Sequence, residues 1–399
     1  MSRVFSRADI LLPNEKTDLS KWSVIACDQH TSEPEYWHTL ADFISDAPSA
    51  LNLILPEAFL SAKNDGGENI SCEMRRYIDA GLFRQISQSY IYVERVLRSG
   101  HVRKGIVGQI DLERYDWKPD SNADVRASEQ TVTSRIPARV DIRSKAFIEL
   151  PHVMVFFNDP ENTVFSSADK SCSIYDFDLN MDGGHIRGFR LNAEAADRID
   201  AAFDSLSCRL FAVGDGNHSL AAAKQYWENI KVSLSGAELK THPARYALVE
   251  MVNIYDDSIV FEPIHRILCE TDENNLMLEA NSFFSGYSGQ GYSIRLSTSH
   301  ETEVFSIDGF LPMGKLIALC EEFCLGYLEK HGGKIDYIHG ESTALSLGSR
   351  PGCAALLLPS MDKASLFDSI STSGSMPRKS FSMGNAEDKR YYLEAKRIR

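Results

Sequence analysis

The stretch from Cys208 to Lys224 constrains the fold of this chain more than any other part of the sequence. A short apolar run, Leu210 to Val213, leads into Gly-Asp-Gly-Asn-His-Ser at 214–219 and then into an alanine-rich segment. This order predicts a strand, a tight turn and a helix, because glycine permits backbone conformations that other residues avoid. Backbone N–H groups at such a helix start bind anions, with the helix dipole behind them. The sequence therefore predicts an anion site built from Gly214, Gly216, Asn217, His218 and Ser219.

Two side chains in this turn add possible chemistry. Asp215 is a candidate metal ligand, and His218 lies just inside the helix start, where it would donate to a phosphate. The alternative interpretation is structural, with Asn217 or Ser219 serving only as the helix N-cap.

A second polar segment follows an apolar strand predicted at 21–28. It reads Asp28-Gln-His-Thr-Ser-Glu33, and Pro34 then marks the first position of a helix. Asp28 or Glu33 could act as a general base or metal ligand, and His30 could carry a proton. The alternative is a polar loop that only caps the helix.

Arginines recur in the middle of the chain, at Arg126, Arg135, Arg139 and Arg143. The last three are spaced four apart, so on a helix they share one face. Planar guanidinium groups suit carboxylates or phosphates. The alternative is a solvated face whose arginines pair with acidic residues such as Asp141 and Glu149.

The remaining pattern mixes strands and helices without strict alternation, which predicts an α+β, irregular mixed α/β fold. Two regions are expected, residues 1–235 with the anion-binding turn and residues 236–399 as a C-terminal α/β region. Predicted strands are 51–55, 88–98, 102–112, 153–157, 245–254 and 352–358; predicted helices are 136–148, 193–206 and 313–330; 281–291 is a predicted loop.

Composition excludes several classes of function. The net charge of −14 argues against a nucleic-acid partner, since such proteins neutralise phosphates with basic residues. No signal sequence or membrane span is visible, so we expect a cytoplasmic protein without a membrane partner and with its eight cysteines reduced and mostly buried.

The spacing of Gly309 and Lys315 imitates a phosphate loop, but Leu316 replaces the required Ser or Thr. Any nucleotide site therefore falls to 214–219.

Five motifs in this order resemble a bacterial family of unknown function, numbered 1015. Along the chain they are Arg126-Ala-Ser-Glu129, Glu149-Leu-Pro-His152, the turn at 214–219 with its alanine-rich helix, Tyr337-Ile-His-Gly-Glu341 and Met376-Pro-Arg-Lys-Ser380. The resemblance covers most of the chain. That family is similar, more distantly, to the ParB and sulfiredoxin superfamily and its free-serine kinases, which implies a nucleotide-binding core elaborated by the C-terminal region.

In those kinases a turn of the form Asp-Gly-His-His-Arg binds nucleotide phosphates. Asp215, Gly216 and His218 fall on matching positions, whereas Asn217 stands in place of His and Ser219 in place of Arg. The kinases' base is a Glu on an N-terminal loop, for which Glu33 is the candidate here. The tail also departs from the family's more usual Met-Pro-Pro-Lys-Ser-Thr.

The resemblance implies a nucleotide-dependent small-molecule kinase that uses Mg²⁺ with ATP or ADP and phosphorylates the hydroxyl of a serine-like amino acid. Asp215 would hold the metal or orient the phosphoryl group, and Asp28 or Glu33 would accept the hydroxyl proton. Candidates for substrate or phosphate contacts are Arg126, Glu129, Arg135, Arg139 and His152. The alternative is a non-catalytic nucleotide-binding sensor. The oligomeric state is left open.

Overall fold

The computed structural model describes residues 3–59, 67–384 and 386–399. The chain divides into two units: Met1–Ala127, Thr131–Ile259 and Asn385–Arg399 form the first, and Ser128–Gln130 with Val260–Gly384 form the second. The first unit thus runs past the boundary predicted at 235/236, because the strand Tyr246–Asn253 pairs within its sheet. None of the helices in the described ranges has the length and apolar character needed to cross a membrane.

A large mixed sheet forms the centre of the first unit. Among the described residues it has ten strands, nine of them in the order Ser173–Asp178, His185–Arg190, Ile91–Val96, Val102–Asp111, Tyr246–Asn253, Met154–Phe157, Phe211–Asp215, Val125–Ala127 and Tyr115–Asp116, with Phe5–Ser6 pairing on Val102–Asp111. Met154–Phe157 is buried throughout, as expected for a central strand covered on both faces.

Three short ladders complete the strands described for this unit. They are Ala8–Pro13 with Phe83–Ser89, Val24–Ile25 with Tyr391–Tyr392, and Ile148–Glu149 with Lys396–Arg397. The last two ladders tie the C-terminal segment to the first unit.

Helices pack around this sheet. They are Leu19–Trp22, Pro34–Ile44, Glu68–Asp79, Ile136–Lys145, Thr163–Ser166, Ala193–Ser205, Asn217–Lys231 and Glu238–Thr241, with 3₁₀ turns at Ala50–Leu53, Glu57–Phe59, Leu112–Arg114, Thr133–Arg135, Pro243–Arg245 and Ala386–Asp388. Pro34 and Pro137 lie in the first turns of their helices, where the missing N–H costs nothing. Trp22, Trp227 and Phe157 are fully buried in the shared core.

The second unit has its own mixed α/β architecture. Its sheet runs in the order Thr302–Asp308, Gly291–Thr298, Cys353–Leu357, Phe261–Cys269 and Lys334–His339, with Phe381–Met383 also paired to Phe261–Cys269. Its helices in the described ranges are Glu273–Ser285, Met313–His331, Glu341–Gly348 and Ser365–Ser373. The helix from Met313 confirms that the Gly309 segment leads into a helix.

Three expectations from the sequence are wrong. Residues 51–55 form no strand, because Ser49 accepts from the Leu51 N–H and starts a 3₁₀ turn. The predicted loop 281–291 begins inside the helix Glu273–Ser285, which the Asp272 carboxylate caps. The third is that all eight cysteines are reduced and mostly buried. Cys269 and Cys353 form a disulfide, since they lie directly opposite each other on paired strands, and Cys72 and Cys172 are exposed.

Candidate active site

One cavity of about 170 Å³ in the first unit gathers residues from distant parts of the sequence. Most of its wall is apolar and comes from leucine, isoleucine, valine and alanine side chains. Its polar lining residues are Cys27, Asp28, Glu57, Arg139, Arg143, Glu149, His152, His218, Ser219 and Tyr392, together with the backbone of Gly216. A mostly apolar cavity with a few polar groups is the usual form of a small-molecule site.

The antiparallel pairing of two strands places the predicted turn in this cavity. Met154, at the start of its strand, pairs with Asp215, at the end of the neighbouring strand. His152, just before one strand, therefore lies beside Gly216, just after the other. A Cβ on Gly216 would lie 3.4 Å from the His152 ring and 2.9 Å from Cγ2 of Val153.

The two glycines of the turn serve different purposes. Gly216 has φ of 80° and ψ of 25°, which is left-handed and favours glycine. It is the N-cap of the helix Asn217–Lys231, and no side chain caps that helix, so the N-cap roles considered for Asn217 and Ser219 are not filled. Gly214 is small for a packing reason, since a Cβ there would lie 2.3 Å from the Phe156 ring.

Asp215 has one carboxylate oxygen engaged and one buried without a hydrogen bond. Oδ1 accepts from the backbone N–H of Gly216 at 2.9 Å. Oδ2 has no hydrogen-bond partner and lies 3.9 Å from the Lys389 ammonium. Within the described residues, no three His, Cys, Asp or Glu side chains form a group that could hold a metal ion. Asp215 alone still fits Mg²⁺, which keeps several waters and needs only one or two carboxylates beside substrate phosphates.

His218 is held by the backbone of a neighbouring segment. Its Nε2 accepts from the Val132 N–H at 3.1 Å, so the imidazole proton resides on Nδ1 when the ring is neutral. Donation from Nε2 to a phosphate, the simplest form of the predicted role, is therefore incompatible with this geometry.

Asp28 and His152 form the polar end of the cavity. His152 Nε2 lies 3.9 Å from the Asp28 carboxylate, and its Nδ1 is 2.8 Å from the Tyr392 hydroxyl. Burial alone would raise the pKa of Asp28, but the charge of His152, a hydrogen bond from Gln29 and the charge of Lys389 together lower it below its ordinary value. Asp28 is thus ionised at neutral pH and available to accept a proton.

On the arginine face of the helix Ile136–Lys145, Arg139 and Arg143 are neither solvated nor unpaired. Arg139 forms an ion pair with Glu57, and Arg143 pairs with Glu149; all four side chains are less than a fifth exposed. The predicted pairing of this face with Glu149 is thus correct. The face is not a solvated surface, however, because both ion pairs lie in the cavity wall. Arg135 is about half exposed and lies 3.8 Å from Glu57.

Gly214, Asp215, Asn217 and Arg135 do not line this cavity, and neither do three further candidates, Glu33, Arg126 and Glu129. Glu33 stands at the N-cap position before Pro34, makes no cap hydrogen bond, and pairs with His30 at 3.2 Å while its side chain is 65% exposed. Arg126 donates to the Ala123 carbonyl at 2.8 Å. Glu129 belongs to the second unit, where its carboxylate accepts from the Ser380 N–H at 2.9 Å and the residue is half-buried. Burial raises the pKa of Glu129, although these backbone hydrogen bonds oppose the increase.

Sequence reasoning missed Glu57, Lys389 and Tyr392. The last two reach the site because Tyr391–Tyr392 pairs with Val24–Ile25, just before Asp28. No local pattern near Lys389 indicates this, since the pairing joins the two ends of the chain. Two aromatic residues in succession were the one available sign of a strand.

A family model described as "Protein of unknown function (DUF1015)" matches residues 7–397. No curated protein matches the chain.

Several solved structures are distantly similar to this chain. A free serine kinase in complex with AMP has 8% identity and a TM-score of 0.39, covering 73% of this chain and 91% of that one. SbnI from Staphylococcus aureus, with a C-terminal truncation, has 9% identity and a TM-score of 0.35, covering 70% and 83%. A conserved hypothetical protein from Pyrococcus furiosus has 7% identity and a TM-score of 0.36, covering 71% and 92%.

Proposed function

The chain belongs to the DUF1015 family of unknown function, and we propose that it is a small-molecule kinase that transfers a phosphoryl group from ATP or ADP to a small hydroxy amino acid. One observation carries this proposal: Gly216, His218 and Ser219 at the helix start line the same cavity as the Asp28 carboxylate and Arg139. Phosphoryl transfer depends mainly on positioning and charge, which such a set of groups supplies.

The helix start is the proposed phosphate end of the site. Gly216 lets the backbone turn sharply into a helix of 15 residues whose positive dipole end faces the cavity. No side chain caps this end, so a phosphate would take the place of the missing cap. Asp215 would hold a magnesium ion arriving with the nucleotide, and such an ion neutralises phosphate charge.

The enclosed space fits the acceptor better than the donor. Its volume of about 170 Å³ lies below the roughly 300–1,000 Å³ of typical ligand pockets. A small hydroxy amino acid fits this volume, whereas a whole nucleotide does not. In this proposal only the terminal phosphate reaches the cavity, and the rest of the nucleotide lies outside it.

Asp28 is the proposed base, in preference to Glu33. The acceptor hydroxyl oxygen forms a bond to the terminal phosphorus, the bond from phosphorus to the nucleotide oxygen breaks, and the hydroxyl proton passes to the Asp28 carboxylate. Asp28 lines the cavity, and His152 keeps it ionised. Glu33 is exposed and paired with His30. Arg139, held by Glu57, would orient the acceptor carboxylate or the transferred phosphoryl group.

The test is turnover measured by ³¹P NMR with magnesium, ATP or ADP, and a panel of hydroxy amino acids. Asp28→Asn should lower the rate by about 10²-fold or more, as expected for loss of a general base. Glu33→Gln is the matched control and should leave the rate nearly unchanged. Absence of phosphorylated product with every donor and acceptor would refute the kinase. Equal rates for both variants and the wild type would refute Asp28 as its base.

A second function is favoured by one observation. Arg139 and Arg143 already have carboxylate partners. The charges of these arginines are therefore balanced before any ligand binds, as expected for a nucleotide-binding sensor. Such a sensor would show a nucleotide-dependent rise in melting temperature without turnover, and Asp215→Ala would abolish that rise.

A further inference from the structure

The second unit contains a pocket that the proposed kinase does not use. Its volume is about 560 Å³, within the usual range for a small-molecule site. The Tyr337-Ile-His-Gly-Glu341 motif ends in this pocket, because both Gly340 and Glu341 line it. His265, Arg295 and Glu262 supply further polar groups.

The sheet register places two of these groups on one face. Arg295 pairs directly with Leu357. On the other side of Leu357, Arg266 pairs with Leu356, so the same register extended by one residue sets His265 opposite Leu357. Directly opposite residues in antiparallel strands point to the same face of the sheet. Arg295 and His265 therefore flank Leu357 from two neighbouring strands.

His265 offers a donor from the pocket floor. The residue is only 2% exposed, and its Nδ1 accepts from the backbone N–H of Leu358 at 3.2 Å. Burial lowers the pKa of His265 below its ordinary value, with Glu341 opposing the change. The ring is thus neutral with its proton on Nε2, which leaves an N–H donor on a residue that lines the pocket.

Opposite charges lie side by side at the pocket wall. The Arg295 guanidinium and the Glu341 carboxylate are 2.5 Å apart, and both side chains are partly exposed. Glu341 begins a helix whose N-terminus has no side-chain cap, and that end attracts a carboxylate. Glu262 adds a second negative side chain, so the lining carries more negative than positive charge. This balance disfavours a bare anion such as phosphate and favours a ligand with both an ammonium and a carboxylate.

We propose that this pocket binds an α-amino acid with an apolar side chain, such as leucine. Its carboxylate would contact Arg295 and the Nε2–H of His265, and its ammonium would contact Glu341 and Glu262. Pro263, Leu358 and Pro359 line the same pocket and would contact the side chain. This site lies wholly within the second unit and does not rest on the proposed kinase.

Isothermal titration of the full chain tests this site with four probes. L-Leucine is compared with 4-methylpentanoate, which lacks the ammonium, with 3-methylbutylamine, which lacks the carboxylate, and with inorganic phosphate. We expect L-leucine to bind at least tenfold more tightly than each of the other three. Tenfold in affinity corresponds to about 1.4 kcal/mol, which is less than the loss of a hydrogen bond to a charged group costs.

Variants locate the binding. Arg295→Gln and Glu341→Gln should each weaken L-leucine binding at least tenfold. Glu262→Gln, at an exposed position, removes one ammonium contact and leaves the ion pair between Arg295 and Glu341 in place. This variant should also weaken L-leucine binding. The matched control is Lys334→Gln, which removes an exposed ion pair with Glu270 in the same sheet and should leave the affinity unchanged.

Three results would overturn the proposal. They are no binding of L-leucine at millimolar concentration, equal affinity for L-leucine and one of the fragments or phosphate, and L-leucine affinity that all three pocket variants leave unchanged. The last result would place any leucine site elsewhere. Thermal unfolding of each variant shows whether it is folded, and Glu262→Gln keeps the test valid if an ion-pair variant unfolds.

Discussion

The turn that starts the helix Asn217–Lys231 depends on Gly216, and replacing Gly216 with alanine tests why. Two separate costs are expected. The residue has φ of 80°, and an added Cβ would lie 2.9 Å from Cγ2 and 3.0 Å from Cα of Val153. The first cost is conformational and the second is steric.

The magnitudes follow from these two terms. A left-handed conformation costs a non-glycine residue about 1–2 kcal/mol, and an extra methyl group in a packed region costs about 1–3 kcal/mol. Alanine also stiffens the unfolded chain, which returns about 0.4–1 kcal/mol. We therefore expect Gly216→Ala to lower the free energy of unfolding by about 1–5 kcal/mol, centred on about 3 kcal/mol.

Gly81 is the matched control in the same unit. Its φ is 65°, but an added Cβ would meet nothing within 4 Å. Gly81→Ala should therefore lose only the conformational term, about 1 kcal/mol or less. Asparagine tolerates the left-handed region better than alanine, so Gly81→Asn should be nearly neutral while Gly216→Asn stays destabilised.

The assay is urea unfolding followed by tryptophan fluorescence. All four tryptophans, at 22, 37, 117 and 227, lie in the first unit, so the signal reports the unit that holds Gly216. Equal losses for Gly216→Ala and Gly81→Ala would refute the steric argument. A stable Gly216→Ala protein would refute the left-handed turn itself, and with it the proposed phosphate end of the site.

Three further predictions concern other parts of the chain. Arg390 is buried between two carboxylates at 2.6 Å, so Arg390→Ala should cost about 3–5 kcal/mol by leaving those charges unpaired, measured by the same fluorescence assay. The protonated His185 ring donates hydrogen bonds to the Asp178 and Asp176 carboxylates, which raises the pKa of His185. The stabilising contribution of His185 should be present below pH 6.5 and lost as the pH rises through its folded pKa. NMR titration should show a lower pKa of His185 in Asp178→Asn. Because Cys269 and Cys353 are bonded, a thiol reagent in denaturant should titrate six cysteines without reductant and eight after reduction.

Much of the local structure was determined by the sequence alone. The strand, glycine turn and helix at 211–231 follow from an apolar run, two glycines and good helix formers, all near one another in the chain. The helix beginning at Pro34, the strands on either side of Gly100 and the long helix from Met313 were predicted for similar reasons. Membership of the family also follows from motifs that the sequence displays in order.

Only the tertiary structure decided which of these groups meet. Asp28 and Glu33 look alike in the sequence, yet Asp28 lines the cavity and Glu33 is exposed. Arg126 and Glu129 are three residues apart, yet they belong to different units. Lys389 comes near Asp215 through strand pairing between the two ends of the chain. Hydrophobic periodicity indicates which face of a helix or strand is buried. Strand order and register are set by contacts between distant residues, so only the tertiary fold decides which residues form the site.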